Sequence, residues 1–412
     1  MNTKLISGKI LERRWLAKAA VTICAGWMLN VGAAEVNTTG LAVTDKEVTV
    51  GILHSVTGTM SISETGSVQA EKLAIKQINA AGGVLGRQIK FIQEDGASDW
   101  PTFAEKSKKL LVNDKVAAVF GCWTSASRKA VLPIFEQYNG MLYYPTFYEG
   151  LEQSPNVIYT GQEATQQILA GIDWVVKEKG AKTFYLLGSD YIWPRTSNKI
   201  ARKHIEKLGL KVVGEEYYPL GHTQFNSVIN KIKLTKPDVI YAIVVGGSNV
   251  AFYKQLKAAG ISLPKEKPLL LTISVTEDEI LGIGGENMEG AYASMKYFQS
   301  LDNPNNKAFV EAFKAEYGKD IVIGDVTQAA YLGPWLWKAA VEKAGSFDID
   351  KVRAASPDIE LTTAPEGYVK IHPNHHLWSK TRIGHALKDG QYKVVHETAE
   401  LMEPDPFPKG YQ

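Results

Sequence analysis

Cysteine is nearly missing from this chain, with two residues in 412. Cys24 lies near the N-terminus and Cys122 has no partner once that region is set aside, so no disulfide framework holds the fold. Cys122 closes an apolar run and reads as a small core hydrophobe. No basic patch or Arg-rich helix points to nucleic acid. Catalytic signatures are equally scarce: there is no Gly-x-Ser-x-Gly elbow, no phosphate loop and no nucleophile–base pair. Gly282-Ile283-Gly284-Gly285 follows no strand directly and is not a dinucleotide fingerprint. His372, His375 and His376 have no cysteine or acid at ligand spacing, and Glu149 and Glu163 form no evident acid–base pair. These absences argue against an enzyme, and neither a metal nor a cofactor is expected.

What is present reads as a large globular chain, 45% hydrophobic and 22% charged, long enough for two cores. Residues 1–34 read as a signal peptide. Lys4, Lys9, Arg13, Arg14 and Lys18 precede an apolar stretch over 19–31, and Val31-Gly32-Ala33-Ala34 offers small residues for cleavage. That stretch is shorter than the ~20 residues of a spanning helix, so export is expected, with an uncleaved anchor as the alternative. Ile23 is bulky for a lipidation signal at Cys24. Without the leader, 41 basic residues stand against 43 acidic ones.

From Val48 onward strand-like runs alternate with helical periodicity, the pattern of parallel sheets covered by helices on both faces. Ala70, Leu73, Ala74, Ile78 and Ala81 recur at helical spacing until Gly82-Gly83. A second series begins near Thr165, and a mature chain of roughly 378 residues overfills one doubly wound sheet, so two α/β lobes are expected. Five apolar runs, at 116–122, 141–144, 183–187, 238–245 and 268–271, end in small, polar or aromatic residues just before a helix. Ligands bind beyond such strand ends. The rim residues are Thr124 and Ser125; Tyr144, Thr146 and Tyr148; Ser189, Tyr191 and Trp193; Gly246 and Ser248; and Glu277. Hydroxyls, rings and one carboxylate suit a small, polar, uncharged or zwitterionic molecule that is held and not transformed.

Three passages resemble a known family: Phe120-Gly121-Cys122-Trp123-Thr124-Ser125, running on to Val131; Tyr143-Tyr144-Pro145-Thr146-Phe147-Tyr148-Glu149-Gly150; and Gly188-Ser189-Asp190-Tyr191-Ile192-Trp193-Pro194-Arg195. The chain resembles the type I periplasmic binding proteins of the branched-chain amino acid and amide group, and within it the substrate-binding proteins of urea ABC transporters. The similarity spans about 47–408, and the 79–87 stretch is shared across the wider group. The Tyr-Pro-Thr and Ser-Asp-Tyr segments also occur in a cytoplasmic amide-sensing regulator of the same fold. The resemblance implies two lobes, 44–160 with 291–366 and 161–290 with 367–412, and three crossovers near Thr160-Gly161, Gly290 and Gly367. A ligand would be sealed between them by hinge closure. It further implies a periplasmic receptor that delivers urea to the membrane subunits of an ABC transporter, touching the membrane only through that partner or an anchor. Short-amide binding, as receptor or regulator, and then branched-chain amino acid binding are the alternatives. A signal peptide argues against the regulator.

For urea, a planar molecule with one carbonyl and four N–H donors, Thr124, Ser125 and Thr146 are candidates for the carbonyl side. Ser125 at a helix start would lie beside free amides, though it also fits a plain N-cap. Glu277 would accept N–H groups or complement a helix dipole, with Asp278 and Glu279 facing solvent. Tyr148, Tyr191 and Trp193 offer flat walls. Trp193 also takes up volume, Tyr144 is ambiguous, and Phe147 reads as core. Ser61, Ser63 and Glu64, on the loop after the first strand, would close the other side.

Overall fold

The computed structural model describes residues 40–261 and 268–412; the expected signal peptide lies outside them. In chain order the first series runs β1 (Glu47–His54), α1 (Ser61–Ala80), β2 (Gln88–Asp95), α2 (Trp100–Lys108), β3 (Val119–Gly121), α3 (Ser125–Gln137), β4 (Leu142–Tyr144) and β5 (Val157–Tyr159). Its strands form a parallel sheet in the order β2-β1-β3-β4-β5. The second series is α4 (Ala170–Lys179), β6 (Thr183–Ser189), α5 (Ile192–Lys207), β7 (Lys211–Tyr218), α6 (Asn226–Thr235), β8 (Val239–Ile243), α7 (Ser248–Ala258), β9 (Leu269–Thr272), α8 (Glu277–Ile283), α9 (Gly285–Met288) and β10 (Tyr292–Met295). Then follow α10 (Pro304–Tyr317), α11 (Asp325–Ala344), α12 (Ile349–Ala355), a small sheet of β11 (Glu360–Leu361), β12 (Val369–Ile371) and β13 (Leu377–Trp378), and finally β14 (Arg382–Ala386) and β15 (Tyr392–Glu397). The larger sheet has the order β15-β14-β10-β9-β8-β6-β7, with β14 and β15 antiparallel.

Continuous apolar runs such as β8, buried at every position, belong to strands covered on both faces. In the first sheet Val50, Ile52, Phe120 and Tyr143 meet Leu336, Trp337 and Ala340 of α11 on one face. Leu53, Val119 and Leu142 meet Phe103, Val131 and Phe135 of α2 and α3 on the other.

Two expected boundaries move. Strand β10, assigned to lobe one by the break at 290/291, pairs with β9 in the larger sheet, so that crossover occupies 296–303. The stretch after Gly367 stays with lobe one, because β12 and β13 pack into its core and His376 bridges Tyr159; the chain returns at 379–381. Gly290 and Gly367, with φ of 90° and 109°, shape local turns instead. The crossovers are stitched together: Gln162 Nε2 donates to Ser379 Oγ at 2.9 Å and Thr381 Oγ1 at 2.8 Å, and Arg382 donates to the Lys296 and Glu366 carbonyls. Gly161 belongs to this hinge for a steric reason, since a Cβ there would lie 2.2 Å from the Thr146 carbonyl carbon.

Candidate functional site

Two helices begin earlier than their sequence suggests, and both beginnings matter at the interlobe cleft. α1 starts at Ser61, so Ser61, Ser63 and Glu64 occupy its first turn and not a loop. α5 starts at Ile192, ahead of Pro194. A proline in the first turn sacrifices no intrahelical bond, so Trp193 is held by helix geometry.

The two lobes meet through aromatic rings. Trp123 and Phe147 come from the ends of β3 and β4, Trp193 and Tyr191 from the end of β6. Ring centroids are 6.2 Å apart for Trp123–Trp193, 5.4 Å for Phe147–Trp193 and 6.5 Å for Tyr191–Trp193. Phe147 is buried in the core as expected and packs against both indoles of this cluster. The indole N–H groups of Trp123 and Trp193, the Tyr191 hydroxyl and the Thr146 hydroxyl are buried with no hydrogen-bond partner among the described residues. Such groups cost about 1–3 kcal/mol each when unmatched, which marks a place for a polar guest. The loop after β8 closes another edge: the Gly247 amide donates to the Thr59 carbonyl at 3.1 Å. Gly246, at φ 63°, approaches so closely that a Cβ would lie 2.8 Å from that oxygen.

Beneath the rings on the lobe-one side lies a buried charge cluster that sequence reasoning missed. Thr124 caps α3, its hydroxyl accepting from the Ser127 amide at 3.0 Å; Ser125 is the first helical residue and not the cap. Ser125 Oγ donates to Glu149 Oε2 at 2.6 Å and accepts from Arg128 Nη1 at 3.1 Å. Arg128 is fully buried, pairs with Glu152 at 2.7 Å and Glu149 at 3.4 Å, and lies over the Tyr148 and Tyr144 rings at 4.4 and 4.8 Å. Burial works to raise the Glu152 pKa, but Arg128 and Lys129 outweigh it and hold the group at about 2. The signal was legible as spacing, since Ser125–Arg128 is an i,i+3 pair on one helix face. Tyr144 donates to the Trp123 carbonyl at 2.6 Å and so supports the cleft floor. Tyr148 is no wall: its hydroxyl donates to the Glu152 carbonyl at 2.9 Å and lies 2.6 Å from His376 Nε2, with its ring stacked on Tyr159.

On the lobe-two side, Ser189 Oγ accepts from the Val245 amide at 3.2 Å and braces the strand ends. Ser248 Oγ and both amide atoms of Asn249 are buried without partners among the described residues. The acids of α8 differ from expectation. Glu277 turns towards the 296–303 crossover, where Oε1 accepts from the Gln299 amide at 2.9 Å, and burial pushes its carboxyl well above the usual range. Glu279 is buried instead of solvent-facing and reaches lobe one, accepting from Ser63 Oγ at 2.6 Å. Asp278 is half-buried and accepts from Thr327 of α11 at 2.7 Å. The Tyr191 hydroxyl feels Tyr144, Glu149 and Arg128 from one lobe and Glu279 from the other.

A second buried set lies at the end of β1. His54 Nδ1 is 3.1 Å from Glu64 Oε2 and Nε2 is 3.0 Å from Glu71 Oε1. Burial alone would lower the His54 pKa, but the two carboxylates outweigh it and raise it to about 10. The protonated imidazole therefore stabilises the fold fully below pH 6.5, its unfolded value, and the contribution is lost as pH rises towards 10. Thermal melts should show the wild-type midpoint falling across pH 7–10, while His54→Gln, less stable at pH 7, stays flatter; parallel curves would assign the alkaline loss elsewhere. His376 is buried and held neutral, its pKa lowered by burial to about 3. Among the described residues no His, Cys, Asp and Glu group is arranged to hold a metal ion.

Two parallel-sheet lobes, crossed three times by the chain and closing over a shared cleft, define the type I periplasmic-binding-protein fold. A family model described as a periplasmic binding protein domain matches residues 48–412, and the chain belongs to that family. Among similar proteins is the leucine-, isoleucine-, valine-, threonine- and alanine-binding protein of Pseudomonas aeruginosa, 28% identical over 312 residues, 74% of this chain and 81% of that one. A Leu/Ile/Val-binding protein homologue of Brucella suis is 24% identical, covering 87% of this chain and 94% of its own. The structure of a solute-binding protein of an ABC transporter from R. palustris, in complex with benzoate, superposes with TM-score 0.77 at 22% identity, covering 87% of this chain and 98% of that one. A leucine-binding protein from Thermotoga maritima gives 0.76 at 21%, covering 85% and 98%.

Proposed function

We propose that this chain is an exported solute receptor that captures urea, or a similarly short amide, between its lobes and passes it to the membrane subunits of an ABC transporter. The receptor class rests on the family and on neighbours described as solute-binding proteins of ABC transporters. The ligand rests on one observation: the Trp123–Phe147–Trp193 cluster narrows the cleft while leaving two indole N–H groups and the Tyr191 and Thr146 hydroxyls to be matched. Donors of that kind suit a carbonyl oxygen, and the Ser125 and Ala126 amides at the start of α3 add to them. Glu149 supplies an acceptor for N–H groups. Arg128 is already engaged by Glu149 and Glu152, which disfavours a carboxylate ligand such as benzoate or leucine.

Calorimetric titration against urea, formamide, acetamide, leucine and benzoate tests this reading. Heat is expected with urea and the short amides. Leucine or benzoate binding more tightly than urea would overturn the ligand and leave the receptor class standing.

A further inference from the structure

We propose that Glu279 makes closure of the two lobes, and with it ligand capture, dependent on the uptake of one proton. The inference starts from the interlobe contact made by α8. Glu279 Oε1 receives the Ser63 hydroxyl of α1 at 2.6 Å, and Oε2 receives its own Thr276 amide at 3.2 Å, completing a capping box. Beside it Asp278 accepts from Thr327 of α11 and from Thr276. Glycines let the surfaces approach: a Cβ at Gly66 of α1 would lie 3.1 Å from Asp278 Oδ2, and one at Gly282 would lie 2.5 Å from Ile62 of α1. The contact exists only while the lobes are together.

Closure takes the Glu279 carboxylate out of water without giving it a counter-charge. The groups around it are Asp278 and Glu277 on its own helix, Tyr253 of α7, Tyr392 of β15 and Tyr191 before α5. α11 adds Asp325, whose carboxylate is turned to the Lys296 and Tyr297 amides. α1 adds Glu64 and Glu71, both bound to His54, which is thereby occupied on lobe one. Burial, reinforced by Asp278, raises the Glu279 pKa to about 8. In separated lobes the same carboxyl, in water at a helix start, returns towards the ordinary value near 4.5. A group whose closed-form pKa is raised favours closure at low pH. That preference is complete below about 4.5 and is lost by up to about tenfold per pH unit as pH rises to 8.

This mechanism rests on hinge closure and not on the identity of the ligand, so two measurements separate it from the urea reading. Small-angle scattering of the ligand-free protein should give a radius of gyration that grows from pH 6 to pH 9 in the wild type. It should stay nearly constant in Glu279→Gln, whose amide keeps the capping box. Urea titrations over the same range should lose about tenfold in affinity per unit below pH 8 in the wild type and less than threefold in total in Glu279→Gln. An identical pH response in wild type and Glu279→Gln, flat or rising, overturns the proposal. Absence of urea heat from every protein defeats the ligand reading and leaves the scattering result to decide this one.

Discussion

Trp193→Ala should abolish measurable urea capture, admit longer amides, and cost about 3–5 kcal/mol of folding stability. Trp193 is almost fully buried and touches Trp123, Phe147 and Tyr191 by edge and tilted contacts. Removing the indole leaves a void that a small polar guest cannot fill and that loose water would enter, so its fixed partners are lost. An alkyl tail gains about 25 cal/mol for each Å² it buries there, so butyramide should overtake urea in competition calorimetry over a graded amide series. Denaturant unfolding measures the stability term. An unchanged preference along the series would mean that Trp193 packs the lobe interface without bordering the guest.

Arg128→Met should be as damaging to the fold, at about 3–5 kcal/mol, because it leaves the buried Glu149 without its cation and Glu152 with Lys129 alone. The native pair itself adds little beyond a well-packed apolar substitute; the large loss comes from breaking half of it. Adding Glu152→Gln should therefore restore a good part of what Arg128→Met removes, measured by urea or guanidinium denaturation. Acid sensitivity gives an independent sign. The lowered Glu152 pKa stabilises the native state above about pH 4.5, and the contribution is lost as pH falls towards 2. In Arg128→Met that acid-side loss should shrink, because Lys129 alone still pairs with Glu152 at 2.8 Å. A double variant no more stable than the single one would show that the Tyr144 and Tyr148 rings, and not the charges, depend on Arg128.

Much of the scaffold was legible along the chain because its signals are local. Strands such as β8 announce themselves as continuous apolar runs, and the residues just beyond each run stand at strand ends by chain order alone. Trp193, Tyr191 and Thr146 were visible in that way. The Ser125–Arg128 spacing shows a shared helix face, but the pairing of Arg128 with Glu149 was overlooked because an ion pair between α3 and the loop after β4 leaves no periodic trace; only contact in three dimensions joins them. The crossover boundaries slipped for a related reason. Glycine marks a permissive backbone, but whether a positive φ serves a hinge or an ordinary turn depends on which sheet the flanking strands join.

The sequence by itself determined a two-lobed α/β chain whose strand ends gather hydroxyls, rings and acids, because hydrophobic period and helix starts are encoded within a few neighbouring residues. Only the tertiary structure decided which of those side chains face the cleft. In a helix, residues two apart point about 200° from one another, so Glu277 turns to Gln299 in the crossover while Glu279 reaches Ser63 across the gap. Tyr148 likewise passes from wall to core because His376, 228 positions later, lies beside it. Direction around an element is set by what packs against it, and that partner is distant in the chain.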